Sequence, residues 1–194
     1  MENPYWHEFY KPHTIDFNEV RDLCFRSFAI LGASHSLMGL PGEEIGGPLH
    51  GLFFKQAESR LTSHFLDLAV KMRTFEDILA TNEMKDEYDA HIKASFDADQ
   101  FGSIGNGDIR ADRVDLSFRE ACNKIIHAED IRYVYDNGSH GREEDYAWGM
   151  EGTMELKGKL RNKDWDVWLR AEEFLSACLE IADHFDPPAA IVEP

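Results

Sequence analysis

LFFKQAESRLTSHFLDLAVKMRTFEDIL, residues 52–79, decides the fold class. Leu52, Phe53, Ala57, Leu61, Phe65, Leu68, Met72, Phe75 and Leu79 recur at helical spacing and mark one apolar face. That pattern predicts a long amphipathic helix at the centre of a core. Upstream, Asp16 and Glu19 have the form of a capping pair, and Phe17, Val20, Cys24, Phe28 and Leu31 continue at the same period. Leu40-Pro41-Gly42 stops this first helix near residue 38, and Gly46-Gly47-Pro48 leads into the central one. Residues 1–13, with Tyr5, Trp6, Phe9 and Tyr10 between two prolines, read as an N-terminal arm that packs on the body.

Downstream, a short charged helix is expected near 84–95, and FDADQFGSIGNGDIR (96–110), rich in Gly and Asp, reads as a mobile surface loop. Ser117 and Glu120 form a capping box, with Leu116 placed to staple against Ala121, so a helix should run over 118–129. Ile131, Tyr133 and Tyr135 then alternate with Arg132 and Val134 up to the turn signal Asn137-Gly138. The same period returns in Thr153–Leu160 and, after Arg161-Asn162-Lys163-Asp164, in Trp165, Val167 and Leu169. A three-stranded antiparallel meander over 131–169 accounts for these runs. A last helix over 170–185, with Phe174, Cys178, Ile181 and Phe185 inward, ends at Asp186-Pro187-Pro188. The expected fold is a mainly α single domain over 1–194, with four to five helices and a small antiparallel β-meander before the C-terminal helix.

Composition narrows the function classes. A hydrophobic fraction of 43% with 12% aromatics is that of a globular chain, not a disordered one. No apolar run approaches the roughly 20 residues of a membrane span, and the polar, aromatic N-terminus lacks the layout of a secretion signal. A cytoplasmic location and no membrane partner are expected. The formal charge of −17, from 37 acidic against 20 basic residues, repels phosphate backbones and argues against non-specific nucleic-acid binding. Cys24, Cys122 and Cys178 are odd in number and lack CxxC spacing, which marks them as reduced packing residues.

One segment carries chemistry. Arg119, Asn123 and His127 stand four apart and form a polar column on the helix 118–129, turned away from Phe118, Ala121, Cys122 and Ile125. The segment FREACNKIIHA (118–128) resembles the motif helix of HEPN proteins, in which Arg, four to six residues and His stand on one helix, often with Asn after the Arg. Asn123 and His127 fall at the family spacing, whereas position 122, where the family carries arginine, holds Cys122.

The resemblance implies a bacterial, cytosolic, HEPN-like protein. It also implies a metal-independent endoribonuclease of a phage-defence or toxin–antitoxin type, without a cofactor. Arg119 would hold the phosphate with help from Lys124, His127 would act as acid and base near neutral pH, and Asn123 would orient. A thiol cannot supply the bidentate cation of the missing arginine. The resemblance further implies a homodimer through the helix 118–129, with two columns lining one RNA-binding groove. The alternative is a non-enzymatic, acidic protein-interaction module with a degenerate HEPN-like site. Its partner contacts would include Tyr146 and Trp148 in the hairpin loop 141–152.

Other constellations are weaker. Nine histidines include no HExxH or HxxxH pair, so no metal site is assigned, although His64 and Asp67 with His127 and Glu129 could meet through folding. His35 and His64 lie in apolar helical segments and read as core or boundary residues. Ser34-His35 and Ser63-His64 are helix neighbours that point apart, GxSxG is missing, and Gly102–Gly107 lacks the GK[ST] ending of a phosphate loop.

Overall fold

A computed structural model describes residues 15–38, 47–80, 83–106, 112–137 and 147–187. Five helices, α1 (Phe17–Leu37), α2 (Pro48–Leu79), α3 (Lys85–Ser95), α4 (Phe118–Ile126) and α5 (Ala171–Phe185), combine with five strands. The strands are β1 (Gly102–Gly105), β2 (Val114–Asp115), β3 (Asp130–Asp136), β4 (Gly149–Leu160) and β5 (Lys163–Arg170). They form one antiparallel sheet in the order β2-β1-β5-β4-β3.

The expected helices form where their signals lie. Asp16 Oδ1 accepts the backbone N–H of Asn18 (2.9 Å) and Glu19 (3.3 Å), and Ser117 Oγ accepts that of Glu120 (3.3 Å). Leu61, Phe65, Leu68, Met72 and Leu79 of α2 are buried, with Phe65 stacked on Phe174 of α5. Leu52, which was placed on the same face, is exposed. All three cysteines are buried and free.

The sheet exceeds the expected small meander: 59% of the described residues are helical, and 22% lie in strands. β3, β4 and β5 are the meander, and β1 and β2 extend it; β1 lies within the segment 96–110, all of which reads as a loop in sequence, and β2 lies just after it. Four residues with a glycine at each end carry no readable alternation. They become a strand because the free edge of β5, more than sixty residues along the chain, supplies their hydrogen bonds. Gly102 has φ +110°, and a Cβ there would collide with the carbonyl oxygen of Trp168, so the close approach of β1 to β5 requires glycine.

Helices cover one face of the sheet. Met154, Leu156, Val167 and Leu169 point into the core, whereas Lys157, Lys159, Asp164 and Trp168 point outward and are exposed. A two-residue turn closes the β4–β5 hairpin, with Arg161 (φ 48°) and Asn162 (φ 65°) both left-handed, and this sets Gly158 opposite Trp165. Helix α4 stops at Ile126, three residues short of the expected end, because the chain turns to pair Glu129 N–H with Lys157 O (2.8 Å). This turn brings the end of α4 onto the hairpin. Among the described residues no helix is long and apolar enough to cross a membrane.

Candidate functional site at the α4–hairpin junction

The residues of the expected column part company. Arg119 turns toward α2, where its Nη1 lies 2.5 Å from Oε1 of Glu76, a residue only 7% exposed. The second Glu76 oxygen takes Arg73 Nη1 at 2.6 Å, and Arg73 Nη2 reaches Asp77 at 3.2 Å. The bond to Glu76 raises the Arg119 pKa and ties this guanidinium into an interhelical ion network. Position 122 faces the core. Cys122 is 1% exposed, and burial pushes its thiol well above the ordinary range, so it is neither cation nor nucleophile.

Asn123, Lys124 and His127 instead converge on one hollow of about 520 Å³. The rest of its lining is Glu120, Glu129, and the hairpin residues Lys159, Leu160 and Trp165. His127 caps the C-terminus of α4; its N–H donates to Asn123 O (3.1 Å), and the residue is exposed. Lys124 is held more closely. Its Nζ sits 4.5 Å from the Trp165 ring centre and 3.9 Å from Glu120 Oε2, with the side chain 12% exposed. Two lysines thus face two carboxylates around an imidazole.

Trp165 and Lys159 did not emerge as site residues from the sequence, and Glu129 figured there only beside His127 in the metal composite. A two-residue turn at Arg161-Asn162 would have set Gly158 opposite Trp165, a small residue facing a large one. The meeting of this hairpin with α4 leaves no local mark. A second groove, of about 420 Å³ on the outer face of the sheet, shares Glu129, Lys159 and Trp165 with the hollow.

The remaining candidates have other surroundings. His64 is buried with Nδ1 3.2 Å from Ser27 Oγ, and burial lowers its pKa. His35 lies 3.7 Å from Glu172 at the surface. The composite of His64 and Asp67 with His127 and Glu129 is not assembled, and among the described residues no group of three or more His, Cys, Asp or Glu side chains is arranged to hold a metal. Trp148 is half exposed; Tyr146 and the N-terminal arm 1–13 lie outside the described residues. No family model matches the chain, and neither a curated protein nor a solved structure matches it.

Proposed function

We propose that this chain is a HEPN-like protein that acts on RNA at the α4–hairpin hollow, as a metal-independent endoribonuclease of a defence or toxin–antitoxin type. The observation that carries the reading is the convergence of Asn123, Lys124 and His127 on one hollow. Lys124, seated on Trp165, takes the place of the phosphate-holding cation, and Arg119 keeps a structural role at Glu76. The 2′-hydroxyl proton passes to the His127 imidazole as the 2′-oxygen bonds to phosphorus. The P–O5′ bond then breaks, the departing oxygen takes a proton from solvent, and a cyclic phosphate and a free 5′-hydroxyl remain. A homodimer through α4 would bring two such hollows to one groove.

The test is cleavage of single-stranded RNA in the presence of EDTA. His127→Ala should lose about 10²- to 10⁴-fold in rate. Unchanged cleavage by that variant overturns the reading. With one or two phosphates engaged, the slope of log affinity against log salt should be shallow, about −0.7 to −1.4.

A second reading rests on Arg119 being held by Glu76 and Cys122 lying in the core. It is an acidic protein-interaction module whose HEPN-like site is degenerate, with the half-exposed Trp148 at a partner contact. Wild-type protein that neither binds nor cuts RNA would favour it.

A further inference from the structure

The outer face of the sheet continues the hollow. Its groove shares Glu129, Lys159 and Trp165 with the hollow, so the two adjoin at the hairpin end. Along β4 the outward residues from the hairpin end are Lys159, Lys157 and Glu155, opposite Asp164, Asp166 and Trp168 of β5. Lys159 and Lys157 are one strand period apart, about 6.8 Å, and Trp168 lies a further period on.

Trp168 is 51% exposed, yet its ring is held in place. The Arg113 guanidinium lies over it at 4.8 Å, while Arg113 Nε donates to Ser103 Oγ (2.8 Å), Nη2 donates to Ser103 O (3.0 Å) and Nη1 pairs with Asp166. With Arg113 occupying one face and its donors engaged, the ring is fixed in place, and the part of it left in solvent is a pre-ordered stacking surface. Three of the five carboxylates that line this face are matched, Glu129 and Glu155 being the other two. Asp166 pairs with Arg113, Asp164 lies 3.8 Å from Lys159, and Asp130 lies 2.9 Å from Arg132.

We propose that this face binds single-stranded RNA, with one base stacked on Trp168 and the backbone running past Lys157 and Lys159 into the hollow. The inference rests on the reading of the hollow as an RNA site and adds the form of the substrate. A lysine track beside a fixed aromatic suits unpaired bases, whose faces are free, and not a duplex, whose faces are already stacked.

The experiment uses the His127→Ala protein and a fluorescently labelled oligouridine hexamer, followed by anisotropy, with circular dichroism confirming each variant's fold. Adding Trp168→Ala should weaken binding by about 5- to 150-fold. Trp168→Phe should retain most of the affinity, and the same sequence as a duplex should bind at least tenfold more weakly than the single strand. Loss of binding in the phenylalanine variant equal to that in the alanine variant, no effect of either, equal binding of duplex and single strand, or no hexamer binding at all each overturns the proposal. Trp168-dependent binding by a protein that never cuts RNA would overturn only the cleavage reading. His127-dependent cutting without Trp168-dependent binding would overturn only the stacking surface.

Discussion

Replacement of Gly158 by alanine tests the junction on which the candidate site depends. A methyl group there would run into Trp165 Cζ2 and stand 2.9 Å from both Trp165 Cε2 and the His127 carbonyl oxygen. Trp165 is only 6% exposed, so its ring has little room to retreat, and the His127 carbonyl belongs to the turn that joins α4 to β3. Overpacking of this kind costs about 1–3 kcal/mol. In a chain of this size each kcal/mol moves the melting temperature by about 2–4 °C, so a fall of about 2–12 °C is expected by circular dichroism. Because Lys124 sits 4.5 Å from the same ring, displacing it should also weaken the proposed RNA binding in the hollow. A Gly158→Ala protein that melts within about 1 °C of the wild type and binds RNA equally would show that hairpin and helix are not in the contact described.

Gly32 gives the opposite sign: it lies inside α1, a Cβ there meets nothing within 4 Å, and Gly32→Ala should raise stability by about 0.5–1 kcal/mol in a urea titration. Glu76→Gln should cost about 1–3 kcal/mol, because it leaves Arg73 and Arg119 facing a neutral, poorly accessible amide. Arg119→Ala should likewise lower the urea midpoint but leave any RNA cleavage near the wild-type rate; a loss matching that of His127→Ala would return Arg119 to the catalytic group. Burial lowers the pKa of His64, with Arg26 and Arg60 adding to the effect, and burial followed by His184 lowers that of His91. For both, the unfolded chain, with its ordinary value of 6.5, binds more protons than the folded one, so stability is full above that pH and falls as acid is added below it. Urea midpoints that do not fall between about pH 7.5 and pH 5.5, or that fall as steeply in a His64→Gln, His91→Gln double variant, would contradict this.

Much of the helical layer was legible because its signals are local. The apolar stripe of α2, Asp16 before α1 and Ser117 before α4 each act within a turn or two of chain, and the observed caps and buried faces follow them. The meander was legible by alternation, and its ends moved by only a few residues in β3 and β5. Strand β1 was not, since Gly102-Ser103-Ile104-Gly105 has no pattern of its own and owes its conformation to β5. The column suffered the same limit. Spacing placed Arg119 and His127 on one line of the helix, but a side chain as long as arginine goes where the opposite charge is, and Glu76 lies on another helix.

By itself the sequence determined which segments are helices, most of their apolar faces, that the cysteines are packing residues, and that Asn123 and His127 lie on one line of the helix over 118–129 with Lys124 beside them. These are properties of a few consecutive residues and their periodicity. Tertiary structure decided that Arg119 is held by Glu76, that β1 joins the sheet, and that Trp165 and Lys159 complete the hollow. Each of these is a contact between segments distant in the chain, set by how the hairpin and helices pack together and not by the pattern of either alone.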